Sequence, residues 1–179
     1  MRDWNTVVTV RERGFDKAFD LLGEFGPVGK TGYFNVLVMR LADIPWVLET
    51  LRDRVTEEAE RYEFLSRLVP LTHVFDFTTP HDFEARAREA VLTWRPNVAD
   101  KTFHVRMHRR GFKGKLSSME EERFLDETVL EAMREAGSTA RLSFEDPDVI
   151  IAVETVGERG GLSIWRREEL KNYPFLHLD

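Results

Sequence analysis

Apolar and polar positions along the 179-residue chain follow two periods, and the period predicts the element. WNTVVTV (4–10) is rich in β-branched side chains and predicts a strand. Apolar residues at 15, 18, 19 and 22 recur at helical spacing and predict a short amphipathic helix over 15–22. Gly26, Pro27, Gly29 and Gly32 then break the chain. YFNVLVMRL (33–41) predicts a second strand, apolar enough for burial on both faces. Asp43 is placed to cap the helix that follows, IPWVLETLRDRV, with Pro45 in its first turn. The charged run TEEAERYEF (56–64) extends that helix. RLVPLTHVFDF (67–77) predicts one further strand, which Pro70 confines to an edge or a bulge.

The second half keeps the same alternation. Thr79-Pro80 starts a helix that runs to about Thr93, and TWRPNVAD (93–100) reads as a linker. KTFHVRMHR (101–109) alternates strictly and predicts a strand. SSMEEERFLDETVLEAMREAG follows as a helix, with Ser118 and Glu121 as a capping box and Gly137 as its C-cap. ARLSF, DVIIAVETV and GLSIW predict three more strands. The pattern predicts an α+β fold with a first domain over 1–77 and a second over 78–179. The β-α-β-α-β order of the first, with room for a hairpin in the glycine stretch, is compatible with a ferredoxin-like layer.

Composition narrows the function classes. Hydrophobic residues make up 42% of the chain and 20 are aromatic, enough for a packed core. There is no cysteine, which excludes disulfides, thiolate zinc sites, iron–sulfur clusters and thiol nucleophiles within these residues. The N-terminal apolar run is too short for a signal peptide, and no segment approaches the roughly 20 apolar residues of a membrane span. The expectation is a soluble cytoplasmic protein that does not enter a membrane.

Three stretches imitate known sites. GPVGKTG (26–32) resembles a phosphate-binding loop, but that loop needs a glycine five positions before Gly29, where Glu24 stands. It also follows a helix and precedes a strand, the reverse of the required order, so a turn is the expectation. His104 and His108 stand four apart, yet no third ligand lies nearby in sequence, and no metal site is expected. Seven acids against two Arg over 120–135 read as a solvated helix face. No catalytic residue and no cofactor emerge.

Charge supplies the one unusual feature. The formal net charge is −6, with 26 Lys plus Arg against 32 acids. From Lys101 to Met119 there are six Lys or Arg, two His and no acid, so the remaining 160 residues carry 20 minus 32, or −12. On a strand, Phe103, Val105 and Met107 face a core while His104, Arg106 and His108 form an opposite stripe with a spacing of about 6–7 Å. Arg109, Arg110, Lys113 and Lys115 extend it into a loop opened by Gly111 and Gly114, and Phe112 stands among them as a base-stacking side chain. Such a strip suits phosphates; an ordinary charged surface balanced by the acidic helix is the competing reading.

SRLVPL (66–71), KTFHVRMHRRG (101–111), the capped helix after it, EDPDVIIAVETV (145–156) and LSIWRREELKNYPFLHL (162–178) together resemble THUMP-domain proteins. They are most similar to the stand-alone branch that assists cytidine acetylation in tRNA. The resemblance covers over half the chain and implies a ferredoxin-like domain ahead of a THUMP domain. It implies a noncatalytic adaptor that holds the acceptor region of tRNA for a separate RNA-modifying enzyme. RNA contacts are expected from Arg106, Arg109, Arg110, Lys113 and Lys115, with His104, His108 and Phe112 as secondary contacts. Arg166, Arg167 and Lys171 extend the surface. The alternative is a protein-interaction subunit that docks through the strip onto a partner or a second copy and binds no RNA.

Overall fold

The β-branched run at the N-terminus forms β1 (Thr6–Val10), and the periodic segment after it forms α1 (Phe15–Leu22). These belong to a computed structural model that describes residues 1–178; Asp179, the end of the second expected domain, lies outside the described residues. The chain divides into two units. Residues 1–70 and 170–177 make the first, and 71–169 with Leu178 make the second.

In the first unit β2 (Val28–Lys30), β3 (Val36–Met39), α2 (Ile44–Glu57) and β4 (Leu65–Pro70) complete a four-stranded sheet of order β2-β3-β1-β4. All its neighbours are antiparallel. This β-α-β-β-α-β order is the ferredoxin-like arrangement. The glycine stretch holds the hairpin's edge strand rather than a phosphate loop. Asp43 caps α2 as its position suggests, its carboxylate accepting from the Trp46 amide at 3.0 Å. The helix ends at Glu57, so 58–64 is turn instead of further helix. Near the chain's end, the Phe175 carbonyl accepts from the Leu68 amide at 3.0 Å.

The expected single strand over 67–77 is two strands in two sheets. Pro70 has no N–H to continue a ladder, and β4 ends there. The Thr72 amide instead donates to Leu162, and β5 (His73–Asp76) pairs with β9. The break between units therefore falls after Pro70, seven residues before the expected boundary.

The second unit continues with α3 (Pro80–Leu92), α4 (Arg95–Val98), β6 (Lys101–His108), α5 (Ser118–Glu135), β7 (Ala140–Leu142), β8 (Val149–Val156) and β9 (Arg159–Arg166). A last helix, α6 (Arg167–Asn172), begins in this unit. Its sheet has the order β5-β9-β8-β6-β7. β6 runs parallel to both neighbours, while β8 and β9 form an antiparallel hairpin. One face packs Phe103, Val105, Met107, Ile151 and Val153 against Phe83, Val91, Leu125 and Val129 of the helices. The N-cap of α5 is Ser117, one residue ahead of the expected Ser118, with its hydroxyl accepting from the Glu120 amide at 3.4 Å.

β7 pairs with β6 only along Lys101–Phe103, which leaves the rest of that edge open. The α5 helix closes it with side chains. Asp126 accepts from the Val105 amide at 2.9 Å, and Glu122 from the Met107 amide at 2.7 Å. Four residues of helix and two of strand both advance about 6 Å, so the pair fits the ladder. The acidic face of α5 is thus partly internal. Asp126 and Glu121 are each 5% exposed. Burial pushes the Asp126 carboxyl up to about 7, and burial beside Glu84 of α3 does the same to Glu121.

Both carboxyls hold protons in the folded chain that the unfolded chain releases near pH 4. Stability therefore falls as pH rises from about 4 through about 7. Asp126→Asn keeps an acceptor for the Val105 amide and cannot ionise. Urea melts at pH 5 and pH 8 are expected to differ less in this variant, with the midpoint at pH 8 above that of the wild type. A second substitution tests β9. A methyl on Gly161 would fall inside contact distance of the His73 carbonyl and 3.0 Å from Leu71. Gly161→Ala is expected to cost about 1–3 kcal/mol, read as a drop of several degrees in Tm.

Candidate nucleic-acid interface

β6 alternates as its sequence predicts: Phe103, Val105 and Met107 enter the core, and His104, Arg106 and His108 take the other face. The parallel register sets Ile150, Ala152 and Glu154 of β8 beside those three. That face is not open to solvent along its length. His104 is 3% exposed and packs on Phe144 in a tilted arrangement with ring centroids 5.5 Å apart. It offers no surface to a ligand, which corrects its expected role as an RNA contact.

Glu154 divides the strip in two. It is 0% exposed, with His108 Nδ1 3.3 Å from one oxygen and the Arg110 guanidinium on the other. An Arg that is 13% exposed beside a buried carboxylate is a structural ion pair, since either charge alone would be costly to bury. The backbone reinforces this position: the Arg110 amide donates to Thr155, and the Gly157 amide donates to the Arg110 carbonyl at 2.8 Å. Arg110 and His108 are thus engaged by a buried carboxylate, which corrects their expected role as RNA contacts. The acid responsible is on β8, not on the neighbouring helix.

Gly111 and Phe112 both take positive φ, 102° and 53°, and turn the chain back on itself. The Phe112 ring packs on Phe77 at 5.0 Å and joins the core cluster. It is an anchor for the loop and not an exposed base-stacking platform. Beyond it Lys113 and Lys115 are exposed, and Arg106 and Arg109 are half-buried. The Arg109 guanidinium bonds the Gly111 carbonyl. Among the described residues no carboxylate lies within ion-pair distance of any of these four. They are the cations the fold leaves available.

Arg166 and Arg167, two of the three outlying residues, do not join them. Arg166 pairs with Val149, which neighbours Phe103, so it lies about 20 Å along the strands from Arg109. It sits 3.6 Å from Glu169. Arg167 is bound to Asp146 at 2.8 Å and Asp148 at 3.1 Å. The Thr102 amide and hydroxyl, with Arg167, hold the Asp148 carboxyl below its usual range. Lys171 is exposed and belongs to the other unit. Glu154 is the residue that pattern reading missed. Its signal was a lone acid closing the apolar run VIIAVE, on the strand that pairs with the cationic one.

No protein-family model matches the chain. A tRNA sulfurtransferase of Klebsiella pneumoniae subsp. pneumoniae is 33% identical over 116 residues, covering 62% of this chain and 22% of that protein. The tRNA sulfurtransferase of Vibrio parahaemolyticus is 31% identical over 130 residues, covering 67% of this chain and 25% of that protein. The chain spans about a quarter of the length of the curated relatives it matches. Among solved structures, TrmN from Thermus thermophilus aligns over 90% of this chain and 44% of its own, at 19% identity and a TM-score of 0.59. A 4-thiouridine synthetase in an RNA complex with bound ATP aligns over 92% of this chain and 42% of its own, at 13% identity and a TM-score of 0.56. The structural matches share the α+β fold described above, the fold class that the resemblance to THUMP-domain proteins implied.

Proposed function

We propose that the protein binds tRNA through the 106–115 segment, as a noncatalytic adaptor that presents the acceptor region to a separate modification enzyme. One observation carries the reading. In a chain whose other residues are strongly acidic, Lys113 and Lys115 stand exposed on a glycine-hinged loop beside Arg106 and Arg109, with no carboxylate in reach among the described residues. An acidic remainder repels a polyanion everywhere else, so the contact is local and selected by shape. The relatives named for tRNA sulfur transfer and the RNA-bound structural neighbour favour tRNA as the ligand. The adaptor role rests on the absence of a thiol to carry sulfur within these residues and on the resemblance to the acetylation adaptors. Cytidine acetylation is the corresponding candidate reaction of the partner.

Each neutralised phosphate contributes a slope of about −0.9 on a log affinity against log salt plot for duplex nucleic acid. With three to four cations engaged, anisotropy titrations of a tRNA acceptor-stem hairpin are expected to give a slope of about −3. Lys113→Ala/Lys115→Ala should reduce its magnitude by about 2. An unchanged slope removes the loop from the interface. A salt-sensitive protein complex with no RNA retained would favour docking onto a protein instead.

Arg110 provides the opposite test. Its truncation leaves Glu154 short of a partner in the interior, a loss of about 3–5 kcal/mol for a buried pair. Arg110→Ala is expected to lower Tm by several degrees while leaving the salt slope near the wild-type value.

A further inference from the structure

β7 is an edge strand with one side occupied. The Ser143 amide donates to the Phe103 carbonyl at 3.1 Å, so by alternation the N–H and C=O of Ala140 and Leu142 point away from the sheet. Leu142 is 39% exposed and Phe144 67% exposed, two large apolar side chains within three residues of the same edge. Single exposed apolar residues are ordinary; a pair on an unpaired strand edge is a pairing template.

The edge borders a groove of about 480 Å³ between the end of α5 and β7, whose lining includes Leu130, Arg134, Ala140 and Arg141. Neither arginine has a carboxylate within ion-pair distance among the described residues, and no acid lines the groove. Parallel pairing puts Leu142 on the face of Phe103 and Arg141 on the face of Thr102. A strand laid along the edge would thus meet Leu130, Leu142 and Arg134 on one face, and Arg141 and Phe144 on the other. Each face offers one cation beside apolar surface.

Phe144 is held in place. Its ring backs onto buried His104, and its turn is tied down by Asp148 accepting from the Thr102 amide at 2.9 Å and by Arg167 on Asp146. An anchored aromatic loses little freedom on binding.

The geometry points to β7 as a docking edge for an extended segment of a partner polypeptide that carries an acidic and an apolar side chain on each of its two faces. Backbone pairing with Ala140 and Leu142 supplies adhesion, and the two arginines and Phe144 select the sequence. The surface lies at the opposite end of β6 from the 109–115 loop, so RNA and the segment occupy different sites.

A displayed library of random octapeptides selected on the full chain tests this, followed by polarisation measurements with the most enriched peptide carrying fluorescein. Enriched sequences are expected to carry Asp or Glu together with an apolar residue on each face of the strand. Arg141→Glu and Phe144→Ala should each weaken the labelled peptide at least tenfold while leaving acceptor-stem RNA affinity within twofold of wild type. Arg134→Glu, on α5 instead of the strand, should weaken it as well. The proposal is overturned by no enrichment, by enrichment of basic sequences, or by peptide binding that survives all three substitutions. An RNA affinity that falls with Arg141→Glu also overturns it, and assigns the groove to nucleic acid. Loss of RNA binding in the loop variants alone leaves the peptide result unaffected.

Discussion

Two acidic side chains bonded to the backbone of one strand tie α5 to β6 in the second unit. β6 is the centre of the parallel half of its sheet, yet past Phe103 it has no strand on one side. Open amides at that depth must find acceptors, and Glu122 and Asp126 are the acceptors. The result ties Asp126 and Glu122 of α5 to Val105 and Met107 of β6, close to where the segment between them leaves the strand and enters the helix. A loop strung between two elements tied in this way can display charged side chains without collapsing onto the acidic surface nearby.

The cationic segment is two objects joined in sequence. In its first part Arg110 pairs with Glu154 in the interior and His108 lies 3.3 Å from the same carboxylate. Its second part, beyond the Phe112 anchor, is free. The same residue types therefore perform opposite tasks a few positions apart, one set balancing a buried charge and the other facing solvent. Burial decides which is which, because a charge pair is indispensable where water is excluded and nearly inconsequential where it is not.

Short-range pattern made much of this visible. The helix over 15–22, the Asp43 cap and the alternation of β6 depend on neighbours within a turn or a strand, and each is where its residues suggest. What stayed hidden depends on residues far apart. Pro70 marks a strand end, but only the ladder with β9 shows that the chain changes sheets there. Phe112 among cations looks exposed until the positive φ at 111 and 112 turns its ring towards Phe77. Glu154 acquires meaning only when the register sets it beside His108, 46 positions earlier in the chain. The α5 acids look solvated because a helix face gives no sign that an unpaired strand edge runs beside it.

The division of the chain has a consequence for biogenesis. Residues 71–169 are an insertion within the first unit, which is finished only when 170–177 return to it and the Phe175 carbonyl receives the Leu68 amide. A ribosome delivers the N-terminal strands first, but they wait for the last residues of this segment to emerge. The inserted unit has nearly all of its own sequence by then and closes earlier. The portion synthesised first is thus completed last, and a nascent chain stalled before residue 170 would carry the inserted unit while the first unit still lacked its closing residues.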